Sequence, residues 1–541
     1  MIEEQFRLEI LDWIAKDPDP ITARTLRKWL ENANEIELRK SFSGFLEFGT
    51  AGLRGPVRPG PSGMNRAVVG RTAAGIAAFM KSRGLSKVVI GRDARHGSEE
   101  FMQESAEIFA GAGMQVCLLP RELPTPVLAF AVNELQMDCG VMVTASHNPA
   151  IDNGYKVYLG KNVDGINFRG SQIVSPADRE ISIEISKVEL PSPRSSTWDI
   201  VGEDLIEKYI SATTSGHSQS VPQKIVYTAM HGVGTQTLLS VFKSAGFSPP
   251  TLVSEQSEPD PDFPTVAFPN PEEPGAIDLA IRLAIKERAD LVIANDPDAD
   301  RCAIAAKDAT GEWRMLRGDE FGTLLGYHMA KNSDLKGKVF ATSIVSSSAL
   351  SKIAKNFGID FVETLTGFKW ISKVPNLTYG YEEAIGYCVD PEVVNDKDGI
   401  SAALKIAAIS SELSAKGSSI FKYLDEIWRE IGYHRTEQLS IRVTDLTIIK
   451  KILSDLRENP PATITGKPVT SFEDLSAGKL PTEGFRLWCG ENMRVIIRPS
   501  GTEPKLKTYI EVVGEFDQVS EADSLVKEIS AEFAALFARY R

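Results

Sequence analysis

Lys87-Val-Val-Ile-Gly91, then Phe101, Ile108, Phe109 and Ala112, then Gly113, then Met114-Gln-Val-Cys-Leu-Leu119: this stretch decides the fold. Its opening run is short and apolar, as a buried strand requires. Apolar residues spaced by three and four follow, the mark of a helix packed on one face. Gly113 comes just after the last of them, where a left-handed cap is expected. The plan returns from Lys224-Ile-Val-Tyr-Thr228, through Leu238, Val241, Phe242 and Ala245, to Gly246 and Thr251-Leu-Val253. It returns again from Lys338-Val-Phe-Ala-Thr342, through Leu350, Ile353, Ala354 and Phe357, to Gly358 and Ile359-Asp-Phe-Val362. Strand–helix–strand units of this length imply right-handed crossovers and mainly parallel sheets. The sequence therefore predicts three similar α/β domains with mixed, mainly parallel sheets.

The last hundred residues follow a different plan. Helix-like Asp445–Arg457 and Ser520–Arg541 flank Met493-Arg-Val-Ile-Ile497 and Lys507-Thr-Tyr-Ile-Glu-Val-Val513, with only a short loop between the two strands. That order predicts a smaller C-terminal α+β domain with antiparallel pairing. Expected boundaries are 1–200, 201–315, 316–432 and 433–541 in a chain of 541 residues.

The formal net charge of −13 argues against a nucleic-acid or membrane surface, since both need a basic face. An anionic small molecule remains compatible, given positive charge focused locally. Cys117, Cys139, Cys302, Cys388 and Cys489 are odd in number and contain no Cys-x-x-Cys pair, so they predict free, mostly buried thiols in a reducing compartment. The N-terminus lacks the apolar core of a signal peptide, and no apolar run reaches membrane-spanning length. A cytoplasmic location is expected.

Five loops carry chemistry. Asp138-Cys-Gly-Val-Met-Val-Thr-Ala-Ser-His-Asn-Pro149 reads as a buried strand running into a polar turn, with Ser146 at the carboxyl end, where α/β sheets bind ligands. Alone, Ser146 reads as a turn former, and no hydrolase-type G-x-S-x-G surrounds it. The second loop follows the strand Asp290–Asn295. There Asp296, Asp298 and Asp300 alternate, and such carboxylates converge only if a cation cancels their repulsion. An EF-hand is excluded, because Arg301 and Lys307 stand where it needs Gly and Glu. In the third, Arg498-Pro-Ser-Gly-Thr502 sets a planar guanidinium before Ser500, Gly501 and Thr502, a donor set suited to an oxyanion. The fourth, Gly380-Tyr-Glu-Glu-Ala-Ile-Gly386, offers Glu382 and Glu383 to sugar hydroxyls. The fifth, Gly49-Thr-Ala-Gly-Leu-Arg-Gly55, puts Arg54 among glycines that allow close backbone approach. No P-loop occurs, which counts against a P-loop kinase.

With Gly49–Gly55, Thr144–Pro149, Asp296–Arg301, Gly380–Gly386 and Arg498–Pro504 in that order along it, the chain resembles the α-D-phosphohexomutase family, which includes phosphoglucomutases and phosphomannomutases. Leu365-Thr-Gly-Phe-Lys-Trp370 and Tyr381-Glu-Glu-Ala-Ile385 bring it closest to the subgroup with phosphopentomutase-like and bisphosphate-forming members. The resemblance implies four domains around a central cleft. It implies a phosphorylated Ser146 holding Mg2+ together with Asp296, Asp298 and Asp300. It further implies that Arg54, Lys156 and Lys369 line the reacting centre with Arg301 nearby, Glu382 and Glu383 take sugar hydroxyls, and the loop of Arg498, Ser500, Gly501 and Thr502 takes the far phosphate. His147 and Lys156 both stand as proton-transfer candidates. The activity implied is interconversion of a sugar 1-phosphate and 6-phosphate, glucose first and mannose second, through phosphoserine and a bound sugar 1,6-bisphosphate that also primes the enzyme. A phosphopentomutase or a sugar-bisphosphate synthase is the alternative, with a phosphatase or a non-catalytic sensor behind them. Ala384 stands where many hexomutases carry serine, which leaves glucose, mannose and pentose phosphates open. The expected partner is a small-molecule sugar phosphate, bound by a monomer or dimer.

Overall fold

The computed structural model describes residues 2–49, 52–443, 445–478, 481–500 and 505–540. They form two compact units, Met1–Leu316 with Gly386–Lys416, and Arg317–Ile385 with Gly417–Arg541.

The first unit contains two mixed sheets. In one, Cys139–Val143, Lys87–Arg92, Gln115–Leu118 and Asp199–Ile200 run parallel, and Asp152–Leu159 and Leu53–Pro56 close one edge antiparallel. Val88, Val89, Ile90, Val141, Met142 and Val143 are wholly buried between the helical layers, as expected of parallel strands covered on both faces. In the other, Thr251–Leu252, Ile225–Thr228 and Leu291–Ala294 are parallel, and Ala303–Lys307 and Trp313–Met315 add antiparallel.

In the second unit, Asp360–Thr364, Val339–Ser343 and Leu377–Glu382 are parallel. Its other sheet is antiparallel throughout, in the order Tyr433–Arg442, Lys505–Gly514, Met493–Pro499, Phe485–Trp488, Ser471–Asp474. Helices Leu446–Glu458 and Val519–Ala538 accompany it. The expected three α/β patterns and the smaller α+β segment are thus present. The three predicted caps, Gly113, Gly246 and Gly358, have φ of 78°, 74° and 67°.

Three N-terminal helices, Glu4–Lys16, Pro20–Glu31 and Glu35–Ser41, were not anticipated from sequence. Asp19 and Asn34 cap the second and third, and Ile10, Ile14, Ala23, Leu26 and Leu38 make their core. All five cysteines are free and buried. Among the described residues, no helix is long and apolar enough to cross a membrane.

A buried ionic network ties the two larger sheets of the second unit. Glu511 accepts from Ser347 Oγ at 2.6 Å, the Ser348 amide at 2.8 Å and His434 Nδ1 at 3.0 Å, and pairs with Arg494 at 2.8 Å. Burial opposes its charge, but Arg494 and these donors outweigh it and hold the carboxyl below the ordinary range. Removing one member strands the other charge in a dry interior. Glu511→Ala is therefore expected to cost about 3–5 kcal/mol, read as an earlier urea transition by tryptophan fluorescence. Because the folded pKa is depressed, the wild-type contribution is complete above the ordinary value of 4.5 and is lost as the pH falls below it.

Candidate active site

Ser146 lies three residues beyond the strand Cys139–Val143, at the carboxyl end of the parallel sheet. Its φ of 52° is left-handed, a conformation that costs a non-glycine residue about 1–2 kcal/mol. Local bonds offset that cost: the Ser146 amide donates to Thr144 Oγ1 at 2.9 Å. The Ser146 side chain is thereby turned towards a second loop, 150 residues away in sequence. Its Oγ donates to Asp296 Oδ2 at 2.8 Å and stands 3.2 Å from His147 Nδ1.

That second loop follows the strand Leu291–Ala294. Asp296, Asp298 and Asp300 are all buried and offer oxygens within 4.8 Å of one another. Like charges so close in a low dielectric repel strongly. Burial, with Asp298 and Asp300 alongside, raises the Asp296 carboxyl well above its ordinary range. Burial also opposes the charge on Asp300, but Lys156, Lys397 and Arg301 outweigh it and hold that carboxyl below its ordinary range. Lys156 Nζ donates to Asp298 Oδ2 at 2.6 Å and to Asp300 Oδ2 at 2.7 Å. Burial favours the neutral amine, yet the two carboxylates prevail and keep it protonated. Asp298 Oδ1 and Asp300 Oδ1 are buried with no hydrogen-bond partner. Buried oxygens left without a hydrogen bond among three carboxylates fit a hard divalent cation such as Mg2+.

The loop is braced from behind. Val233 N–H donates to Pro297 O at 2.8 Å, and a Cβ on Gly232 would lie 2.3 Å from Pro297 Cα. Only glycine allows that approach. Tyr227 hydroxyl reaches Asn295 Oδ1 at 2.9 Å.

The remaining first-unit candidates gather here. Arg54 Nη1 donates to Asn148 Oδ1 at 3.1 Å. Arg301 donates its amide to Asp296 Oδ1 at 3.1 Å, and its guanidinium lies 3.9 Å from Asp300. Burial, reinforced by the Arg301 and Arg54 charges, pushes the His147 imidazole well below its ordinary 6.5, so it is neutral at pH 7.

The second unit carries its own set. Glu383 Oε2 accepts from Ser343 Oγ at 3.0 Å and Ser346 Oγ at 2.9 Å. Glu382 Oε1 accepts from the Gly367 amide at 2.8 Å. Lys369 is nearly buried, its ammonium 6.0 Å from the Trp370 ring. Arg498 ends the strand Met493–Pro499 beside Tyr509, and its Nε is buried without a hydrogen bond. Ser500 follows that strand, while Gly501 and Thr502 lie outside the described residues.

Sequence reasoning missed three contributors. Thr125 Oγ1 donates to Asp298 Oδ2 at 2.6 Å, Lys397 Nζ lies 3.4 Å from Asp300 Oδ2, and Arg95 grips the backbone of the Ser146 loop. None sits in a patterned motif beside its partner. Arg95 follows the apolar strand Lys87–Arg92, whereas Thr125 opens the helix Thr125–Glu134 and Lys397 precedes the helix Gly399–Ala415.

Four family models match in order. The Phosphoglucomutase/phosphomannomutase alpha/beta/alpha domains I, II and III match residues 46–182, 204–311 and 317–431, and the C-terminal domain matches 480–529. A Haemophilus influenzae protein described as a probable phosphomannomutase is 46% identical over 86% of this chain and 96% of its own. Human phosphopentomutase is 35% identical over 98% of this chain and 94% of its own, and a Staphylococcus aureus phosphoglucomutase is 32% identical over 94% and 96%. The crystal structure of pp63/parafusin, a phosphoglucomutase from Paramecium, shares the fold with a TM-score of 0.70 at 18% identity, over 93% of this chain and 96% of its own.

Proposed function

The chain belongs to the phosphoglucomutase/phosphomannomutase family of phosphosugar mutases, and from that premise we propose that it interconverts hexose 1-phosphate and 6-phosphate, glucose first and mannose second, through a phosphorylated Ser146. One observation supports this above the others: a left-handed serine whose hydroxyl lies 2.8 Å from one carboxylate of a buried three-aspartate cradle.

Phosphoryl transfer asks a protein for placement and neutralised charge more than for covalent chemistry. Asp296, Asp298 and Asp300 would hold Mg2+ with the Ser146 phosphate. The bound ion would supply charge neutralisation at the transferring phosphoryl. Lys156, kept protonated by its two carboxylates, adds a fixed positive charge, and Arg54 and Arg301 add two more. The bond between Ser146 Oγ and phosphorus breaks as the free sugar hydroxyl bonds to phosphorus and gives up its proton. The resulting 1,6-bisphosphate turns around and returns its other phosphoryl to Ser146. Trace bisphosphate primes the cycle. Glu382 and Glu383 are assigned to sugar hydroxyls, and Arg498, Ser500, Gly501 and Thr502 to the non-reacting phosphate. Lys369 is assigned to substrate binding. The four domains are placed at 1–200, 201–315, 316–432 and 433–541, and the buried free thiols support a reducing, cytoplasmic setting.

Of the two proton-transfer candidates, His147 is assigned the proton, because it is neutral and adjoins Ser146 Oγ, whereas Lys156 is held charged. His147→Gln should lower kcat by about 10²–10⁴-fold with KM little changed. In the unphosphorylated, metal-free enzyme the His147 imidazole should stay neutral as the pH falls from 8 through 6.5, read by nuclear magnetic resonance, because burial and the neighbouring arginines hold its pKa well below that value. An inflection at the ordinary histidine value would remove His147 from this role.

A pentose reading has its own support. Human phosphopentomutase matches nearly the whole chain, and Ala384 lacks the hydroxyl that many hexomutases present. A coupled assay with trace bisphosphate and Mg2+ on glucose, mannose, glucosamine, ribose and deoxyribose phosphates decides between them. Turnover of none of these would sink the mutase reading. Inorganic phosphate without isomer would indicate a phosphatase, and accumulating bisphosphate a synthase.

A further inference from the structure

We infer that Arg95 is a positioning residue for phosphoryl transfer: its buried guanidinium holds the Ser146 loop in the conformation that presents the nucleophile. This rests on the mutase reading above.

Four backbone carbonyls of one loop converge on this single side chain. Arg95 Nη2 donates to Ser146 O at 2.6 Å and Asn148 O at 2.7 Å. Its Nη1 donates to Pro149 O at 2.9 Å and Asp152 O at 3.1 Å. Those carbonyls span the turn between the strands Cys139–Val143 and Asp152–Leu159, so the turn is wrapped around a fixed cation. The residue whose carbonyl receives the shortest of these bonds is the one held at positive φ.

The cation is itself anchored. Asp93 directly follows the strand Lys87–Arg92, and its amide donates to Val143 O at 3.0 Å, which locks it to the strand carrying the loop. Asp93 Oδ2 lies 3.3 Å from Arg95 Nε, and Asp93 Oδ1 accepts from the Arg95 amide at 3.0 Å and from Ser98 Oγ at 2.6 Å. The Phe263 ring lies 4.8 Å from the guanidinium carbon. The Arg95 side chain is 1% exposed.

Its chemistry sets it apart from Arg54 and Arg301. Among the described residues, the hydrogen bonds of its guanidinium all go to main-chain carbonyls, of Ser146, Asn148, Pro149 and Asp152. A planar fork can serve four acceptors in one plane, which the compact ammonium of lysine cannot reproduce. Arg95 therefore acts through the backbone of Ser146. The loop adjoining Ile225–Thr228 supplies an internal contrast. There Met230 also has a positive φ, of 50°, and its amide bonds to Thr228 Oγ1 at 3.0 Å, as the Ser146 amide does to Thr144. The turn chemistry is repeated, but the residue placed at that position is not a nucleophile.

The test uses the full chain with Arg95→Lys and Asp93→Asn, glucose 1,6-bisphosphate as phosphoryl donor, and intact-mass detection of phosphorylated Ser146. In Arg95→Lys the rate of Ser146 phosphorylation and kcat should fall together by about 10²-fold, the loss produced by a misplacement of roughly 1 Å. KM and Mn2+ affinity by calorimetry should stay within a few-fold of wild type, with far-ultraviolet circular dichroism unchanged. Asp93→Asn should lose activity in the same pattern but less. Full-rate phosphorylation in Arg95→Lys, or a rise in KM at unchanged kcat, would overturn the assignment. So would a crystal structure of Arg95→Lys with residues 144–152 in wild-type geometry. If Arg95→Lys does not fold, Asp93→Asn decides, and its full activity overturns the role. Failure of wild-type Ser146 to become phosphorylated would instead count against the mutase reading, while the crystal structure would still test the clamp.

Discussion

Ser146→Ala should reduce mutase turnover by at least about 10⁴-fold while sugar-phosphate binding survives. The expected size follows from what is removed. Without Oγ there is no atom to carry the phosphoryl group between the two halves of the cycle, so the loss falls on the chemical step and not on recognition. The donors assigned to substrate are other residues, Arg498, Glu382 and Glu383 among them, and they are untouched by the change. Local geometry also favours survival of the fold. Alanine tolerates the left-handed φ of 52° about as well as serine does, and the Thr144 hydroxyl still accepts from the main-chain amide. Three measurements make the case together: coupled-assay kcat, calorimetric binding of glucose 6-phosphate, and intact mass after exposure to bisphosphate. A variant that isomerises at the wild-type rate would show that the nucleophile lies elsewhere. A variant that neither binds nor folds would call for Ser146→Cys, whose thiol nearly preserves the side-chain volume.

The second large effect is expected at the aspartate cradle. Asp298 is wholly buried, accepts from Thr125 and Lys156 through Oδ2, and leaves Oδ1 without a hydrogen bond. Asp298→Asn keeps the shape and removes one of three negative charges. Losing a metal's charge stabilisation is worth several kcal/mol at the transition state, so kcat should drop about 10³-fold or more. Mn2+ affinity measured by calorimetry should weaken in parallel. Chelation of divalent ions from the wild type should abolish turnover, and added Mg2+ should restore it. The sign of the pH effect is fixed by Asp296. Burial and two neighbouring carboxylates raise its pKa, so protons compete with the cation and metal affinity should fall as the pH is lowered. Retained Mn2+ affinity and activity in Asp298→Asn would mean that the cradle is not the metal site.

Much of this molecule could be read along the chain because the relevant physics is local. The buried strand at Lys87–Arg92, the one-sided helix after it and the glycine cap follow from periodicity and backbone sterics within a few residues. The alternating Asp296, Asp298 and Asp300 announced a cation site for the same reason: three charges within five residues must be neutralised or avoided wherever the chain goes. The N-terminal helices escaped notice because no flanking strand and no glycine cap frames them, so they fall outside the strand–helix–strand plan. Lys397 and Thr125 escaped because nothing near them in sequence hints at the carboxylates they meet.

By itself, then, the sequence determined the element types, the two kinds of sheet and the chemical character of each loop, all set by interactions between residues close along the chain. Only the tertiary structure decided which of those loops share a site. Ser146 meets Asp296 across 150 positions, Lys156 meets Asp298 across 142, and Arg95 reaches the Ser146 carbonyl across 51. Such pairings depend on the order in which strands take their places in a sheet and on how the two sheets of the first unit pack together. That order is set by the burial of whole apolar faces, which no local pattern specifies.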